Sequence, residues 1–246
     1  IMHSSIREIR NRITEGDKVH MNYRHELKFQ VSDKELEILR HRLKPLMATD
    51  THQINSSYKI RSLYFDDYNN SCMYENEDGI DNRQKYRIRI YNGDSSLIKL
   101  EKKMKYRGMT RKNSVKISIT DCNMYLHGIA PPITFSTTPL EKDFYTKLKV
   151  SGMHPVSIVE YERTAFVEPR GNVRITFDRN ISGSNNLTNF LDSDITVIPL
   201  LPKGQHILEI KYDELLPEYI FHVLNINTLQ KTSFSKYYYS RTYTKN

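Results

Sequence analysis

Between residues 85 and 91 the chain reads KYRIRIY. A β-strand hosts this run only by placing Lys85, Arg87 and Arg89 on one face and Tyr86, Ile88 and Ile90 on the other. The pattern recurs. In SLIKLEKKM (96–104), Lys99, Glu101 and Lys103 lie opposite Ile98 and Leu100. NVRITFDR (172–179) sets Arg174, Thr176 and Asp178 on one face, and ILEIKYDE (207–214) does so with Ile207, Glu209, Lys211 and Asp213. SIVEYERTAF groups Val159, Tyr161 and Arg163, and the segment YRHELKFQV (23–31) offers Arg24, Glu26 and Lys28. Any one of these faces reads equally well as the wetted outside of an ordinary sandwich. Six together, each backed by an apolar face that helices can cover, fit a closed barrel with a polar lumen.

The remaining elements agree with that architecture. Ser32-Asp33-Lys34-Glu35 has the capping-box form and precedes Leu36, Leu39, Leu43 and Leu46 at helical spacing, with Pro45 as the stop. Further strands are expected at 58–67 and 110–119, and helices at 121–127, 139–149, 217–227 and 235–242. An amphipathic helix is expected at 4–15. Asn92-Gly93-Asp94 and Pro169-Arg170-Gly171-Asn172 carry turn chemistry and join two hairpins. The fold class is therefore α+β: an antiparallel barrel of about eight strands with helices packed outside. The domain reading is a lead-in over 1–22 and one tunnel domain over 23–242.

The chain has 246 residues and a formal net charge of +8, which points to an anionic partner. Arg and Lys crowded into a lumen repel one another unless an anion sits among them, and several guanidinium forks suit a chain of phosphates. Glutamates among them make sense as ligands of a divalent cation that bridges protein and phosphate. The two cysteines, Cys72 and Cys122, form no CxxC pair, and the nine histidines form no ligand pair of the HxxxH kind. A reducing cytoplasm is the compartment expected. No apolar run approaches the length of a membrane span.

Nine segments, YRHELKF, RSLYFD, KYRIRIY, LEKK, TRK, EYERTAF, VRITFDRNI, ILEIKY and SFSKYYYSR, stand in the order found in a known family. Together they resemble the VTC (vacuolar transporter chaperone) domain, the polyphosphate polymerase branch of the triphosphate tunnel metalloenzymes. The resemblance runs from about Tyr23 to Arg241. It implies a tunnel of antiparallel strands that moves the terminal phosphoryl group of ATP onto inorganic polyphosphate with manganese or magnesium. It also implies a stand-alone bacterial form, with room for a membrane-protein partner but no direct membrane insertion.

Carried across by position, the resemblance assigns roles. Arg87, Arg89, Arg163 and Arg174 would clamp the triphosphate, and Lys103 and Lys236 would guide the acceptor chain or steady the leaving diphosphate. Arg24, Lys28, Lys112, Tyr161, Lys211 and Ser235 would line the substrate path. Glu209, with Glu101 and Glu26 beside it as further candidates, would hold the metal. Lys112 and Arg111 compete for one place in the register, and Arg61 lies on a strand whose phase the sequence leaves open. Each role has a plainer counterpart: a structural salt bridge for an arginine or glutamate, space-filling for Tyr161, a helix cap for Ser235. Two other functions share the composition. A hydrolase of the same fold would carry more carboxylates on the first strand, where Arg24 stands here. The other is a non-enzymatic module that binds polyphosphate or RNA; an RNA binder would interleave aromatic and basic residues on one face, whereas in KYRIRIY the tyrosines are read on the face opposite the arginines. No nucleic-acid partner is expected.

Overall fold

The computed structural model describes residues 23–51, 53 and 56–244; the helix expected at 4–15 lies outside the described residues. Eleven strands form a single antiparallel sheet. Its long members are β1 (His25–Ser32), β3 (Tyr58–Asp66), β4 (Arg83–Tyr91), β5 (Asp94–Tyr106), β6 (Met109–Ile117), β7 (His154–Glu168), β8 (Val173–Ser184) and β10 (Gln205–Tyr212). The two-residue strands β2 (Ala48–Thr49), β9 (Ile198–Pro199) and β11 (Gln230–Lys231) border them. The eight long strands follow the order β1-β10-β8-β7-β3-β4-β5-β6. The two ends of that order then meet: Arg24 and Thr110 exchange both backbone hydrogen bonds, at 2.8 and 2.9 Å, between the start of β1 and the start of β6. That one bridge brings the two ends of the order together, so the sheet curls into a barrel-like tunnel, as the alternation of charge implied.

Turn chemistry fixes the register of the hairpins. Asn92 and Gly93, between β4 and β5, have φ of 53° and 70°, and Arg107 and Gly108, between β5 and β6, have 50° and 75°. Two consecutive left-handed residues make the tight turn whose twist matches that of paired strands. Opposite each other across the first hairpin are Arg83 and Lys105, Lys85 and Lys103, and Arg87 and Glu101.

The apolar faces point outward under helices. In α1 (Asp33–Leu43) Ser32 and Glu35 complete the capping box, and Leu36, Leu39 and Leu43 are buried against the barrel; Leu46 falls beyond the helix and is exposed. With α5 (Glu218–Leu224) this helix covers Phe29, Ile175, Leu208 and Ile210. A second core lies under α3 (Ile119–Leu126) and α4 (Pro139–Val150). There Phe144 is fully buried and meets Phe65, Tyr86 and Tyr125 at centroid distances of 4.9–5.0 Å. Truncating such a ring to alanine costs about 3–5 kcal/mol. Tyr86, Ile88 and Ile90, the outer face of β4, have no exposure at all.

One helix has no counterpart in the sequence reading. The helix α2 (Ser71–Glu77) starts at Asn70, a left-handed residue without a side-chain cap, and buries only Cys72 and Met73, so neither capping nor periodicity announces it. The last helix, α6 (Lys236–Tyr243), begins at Ser235, whose hydroxyl accepts from the Tyr238 N–H. Arg61, unplaced by sequence, points away from the lumen. It is 1% exposed, bonds Glu160 at 2.7 Å and donates to the carbonyls of Phe190, Asp192 and Ser193. It pins the 187–193 segment to the barrel wall and has no part in the cavity.

Candidate functional site: a cationic tunnel

The inward faces of the long strands enclose one cavity of about 1080 Å³. It touches Asp94 and Ser96 at the start of β5 and Lys105 at its end, with Asn92 and Gly108 of the two flanking turns. A strand of that length spans roughly 40 Å, so the space is a passage along the barrel. Sixteen Lys and Arg line it against four Asp and Glu. An enclosed excess of this size is held apart by repulsion until an anion enters.

Fourteen of the fifteen site residues expected from the sequence line this cavity; Glu101, on the same inward face, is covered by the cations it bonds. They group around buried carboxylates. At the first, Arg87 places Nε and Nη2 on Glu101 Oε2, each at 2.8 Å, and Arg89 Nη1 stands 3.6 Å from the same oxygen. Lys112 holds Oε1 at 2.8 Å, and both Lys112 and Arg111 line the cavity. Arg89 continues to Ser62 and to the Tyr161 hydroxyl. Arg87 reaches Tyr64 at 3.1 Å.

The second group surrounds Glu209, Asp178 and Glu26. Arg163 makes a two-pronged pair with Asp178 at 2.6 and 2.7 Å, and Lys236 bridges Asp178 and Glu209 at 2.6 and 3.0 Å. Lys211 and Lys28 each lie between Glu209 and Glu26, and Lys103 holds Glu26 at 2.9 Å. The Tyr161 ring lies beneath both Arg163 and Lys236, 5.2 and 4.9 Å from its centroid, and so supports two cations as well as filling space. Toward one end Arg174 meets Asp50 and the Tyr58 hydroxyl, while Arg24 pairs with Asp213.

Charge states follow from these contacts. Burial raises the Glu101, Glu209 and Glu26 carboxyls, but the surrounding cations outweigh it and hold all three well below the usual carboxylate range. Lys236 is opposed by burial yet raised by Asp178 and Glu209, so it stays an ammonium. Lys85 is different. Its amine bonds the Asn76 side-chain carbonyl at 3.1 Å and lies over the Tyr237 ring at 4.7 Å. Burial, then repulsion from Arg83, lowers it to about 7. Both cysteines are buried thiols, with Cys122 pushed up to about 12, and neither is a nucleophile.

The three carboxylates expected to hold a metal are placed differently. Glu101 has no exposure, and its oxygens bond Arg87 and Lys112 with Arg89 close by, so in this structure it is the counter-ion that aims two arginines. Among the described residues no group of three or more His, Cys, Asp or Glu can hold a metal ion. Glu209 and Glu26 do face the lumen and share two lysines. That donor set fits the way magnesium-like ions are bound, through one or two carboxylates with the rest of the shell from substrate phosphates and water.

Sequence reasoning missed Tyr64, Tyr58, Arg83 and Lys105 as lining residues, and it misplaced Tyr91, which lies an even number of positions from Arg87 and Arg89 and so shares their face and lines the cavity with them. Arg83 and Lys105 continue the alternation of their strands and were there to be found. Tyr58 and Tyr64 were not, because eight of the nine residues of β3 are buried and no polar face marks its phase.

Among solved structures the chain is similar to a protein of Pyrococcus horikoshii OT3, with 15% identity, 87% of this chain and 95% of that chain covered, and a TM-score of 0.45. It is likewise similar to a putative adenylate cyclase from Bacillus halodurans (12%, 83% and 88%, 0.46) and to the Mimivirus capping enzyme triphosphatase (11%, 91% and 93%, 0.42). No curated protein sequence matches it significantly. The model of the VTC domain matches residues 23–244, nearly the whole chain and every strand of the tunnel. The chain belongs to the VTC domain family.

Proposed function

We propose that this chain is a polyphosphate polymerase, which transfers the terminal phosphoryl group of ATP onto an inorganic polyphosphate chain inside the tunnel. The observation that carries the reading is the passage itself: a cationic lumen that reaches both ends of β5. A hydrolase needs only a pocket for a short substrate, whereas a growing chain needs a way out. The first strand points the same way, since Arg24 is tied to Asp213 and β1 supplies Glu26 as its one inward carboxylate.

The residues act by holding charge in place. Arg87 and Arg89, aimed by Glu101, and Arg163 and Lys236, aimed by Asp178, offer donors to the non-bridging oxygens of the transferred group. An oxygen of the acceptor's terminal phosphate forms the new bond to the γ-phosphorus as the bond to the β–γ bridging oxygen breaks, and ADP leaves. The acceptor dianion becomes a bridging link and the chain ends in a new dianion. No proton is released, so no general base is required. Lys28, Lys103 and Lys211 line the wall beside this centre and hold the chain by charge without fixing its register. Glu209 and Glu26 would hold a manganese or magnesium ion, which when bound supplies further neutralisation of the phosphate oxygens.

The test is incubation with ATP and manganese or magnesium, followed by gel separation of the phosphate products. Long chains with stoichiometric ADP support the proposal. Orthophosphate as the sole phosphate product assigns the tunnel to hydrolysis. Competition of single-stranded RNA with tripolyphosphate at equal affinity would remove the phosphate-chain reading.

A further inference from the structure

Alternate residues of β3 look inward: Tyr58, Ile60 and Tyr64 line the cavity, and Ser62 between them takes the Arg89 Nε at 3.1 Å. Tyr64 stands where the two groups of cations meet. It is paired in register with Arg87, whose Nη1 donates to its hydroxyl at 3.1 Å. The charges of Arg87 and Arg89, and of Lys236 from the group around Asp178 and Glu209, all act on that hydroxyl. The Tyr64 ring packs against Tyr237 with centroids 5.3 Å apart, and Tyr237 is itself fixed by donating its hydroxyl to Asp66. Asp66 in turn takes the Cys72 and Met73 N–H groups of α2, at 2.9 and 3.1 Å. The side chain of Tyr64 is therefore held from both sides, buried but open to the lumen.

The direction of its hydrogen bond decides what it can do. A phenol has one proton to give and lone pairs to receive with, whereas a guanidinium only donates. The bond from Arg87 thus occupies a lone pair of Tyr64 and leaves its proton unspent. Among the described residues no acceptor takes that proton, and the charged groups acting on the hydroxyl are all cations. A buried donor without an acceptor is costly. The neighbouring tyrosines are placed differently. Tyr237 gives its proton to Asp66, and Tyr58 receives from Arg174 with Asp50 beside that arginine. Burial alone would raise the Tyr64 hydroxyl, but Arg87, Arg89 and Lys236 more than offset it and hold it below its ordinary value.

We infer that Tyr64 is a further catalytic residue, whose hydroxyl donates to a non-bridging oxygen of the transferred phosphoryl group between Arg87 and Lys236. The phenol keeps its proton, and no bond is made or broken at Tyr64. A loose phosphoryl-transfer transition state spreads charge over three equatorial oxygens. A hydroxyl satisfies one of them without adding to the repulsion among the cations, and Arg87, by drawing on the phenol oxygen, makes that hydroxyl the stronger donor. The inference rests on the proposal that the tunnel transfers the terminal phosphoryl group, and it adds a contact that neither the charge pattern nor the family resemblance assigned.

The experiment reads tripolyphosphate affinity by calorimetric titration at about pH 6, where the phenol keeps its proton. Tyr64→Phe keeps the ring against Tyr237 and removes only the hydroxyl. It should melt within about 4 °C of the wild type. It should bind tripolyphosphate about ten- to a hundredfold more weakly, with kcat/KM for chain synthesis from ATP lowered by at least the same factor. Replacing Tyr64 with 3-fluorotyrosine separates a donor to phosphate from a mere anchor for Arg87, because fluorine makes the phenol a stronger donor and a weaker acceptor. A donor should bind tripolyphosphate about twofold or more tighter after fluorination, and an anchor should bind it more weakly. Tripolyphosphate affinity within about twofold of the wild type in Tyr64→Phe, or affinity unchanged or weakened by fluorination, would overturn this inference and leave the tunnel intact. A wild-type protein that makes only orthophosphate from ATP overturns the polymerase reading without touching this contact, which is read by binding. One that binds no tripolyphosphate overturns both.

Discussion

Substituting Glu101→Gln tests whether that buried carboxylate aims the arginines or holds a metal. Three cations share one carboxylate: Arg87 at 2.8 Å, Lys112 at 2.8 Å and Arg89 at 3.6 Å. Glutamine keeps the shape and one acceptor oxygen but removes the charge. Stripping one partner from a buried ion pair costs about 3–5 kcal/mol, because the remaining charge stays desolvated and unmatched. For a chain of this size each kcal/mol shifts the melting midpoint by about 2–4 °C, so the unliganded variant should melt about 6–20 °C lower. Tripolyphosphate brings back the missing negative charge. The variant should bind it at least as tightly as the wild type, and saturating ligand should narrow the gap between the two melts. Turnover should fall, because both arginines lose their anchor. The assay is thermal unfolding with and without tripolyphosphate, in the absence of metal. A variant that melts within about 2 °C of the wild type without ligand, yet needs more manganese for activity, would refute the argument and return Glu101 to the ligand set. The same reasoning has a sign in pH. Glu101 has its folded value depressed from 4.5, so its stabilisation is complete above that pH and is lost as pH falls through the lower folded value.

Two other outcomes are expected. Lys85, lowered from 10.5 to about 7 in the folded protein, is largely neutral at pH 8, and an arriving phosphate chain raises it. Binding should therefore take up protons, and affinity should fall as pH rises above about 7; calorimetry at pH 8 in two buffers of different ionisation enthalpy measures this. Lys85→Arg should remove most of the uptake, and unchanged uptake would clear Lys85. In the unliganded protein the same shift makes stability rise with pH between about 7 and 10.5, where the unfolded chain holds a proton that the folded one has shed. Arg61→Met breaks the buried contact with Glu160 outside the tunnel and should cost about 3–5 kcal/mol in thermal or urea unfolding. Tripolyphosphate affinity of the folded variant should not change, and a loss at matched folding would place Arg61 in the site after all.

The alternation of the strands was legible from the residues alone, because side-chain direction has a period of two whatever the strand pairs with. Lys85, Arg87 and Arg89 had to share a face, as did Arg174, Thr176 and Asp178. The capping box at Ser32 and the turn at Asn92-Gly93 were legible for the same local reason. The repetition of cationic faces over six segments made an inward lumen the expectation, but the periodicity of a single strand does not decide which way its face looks. That is decided where Arg24 meets Thr110, 86 positions later, and the sheet curls so that charge lies inside and Ile88, Phe144 and their neighbours lie outside. Nor could it assign counter-ions. Only cross-strand register set Glu101 opposite Arg87 and within reach of Lys112, and Arg61 had no role until the chain returned with Glu160 and Phe190. Periodicity is a property of a few consecutive residues. The partner of a buried charge belongs to the curled sheet, where strands far apart in the chain share one low-dielectric interior and each carboxylate is claimed by the cations that surround it.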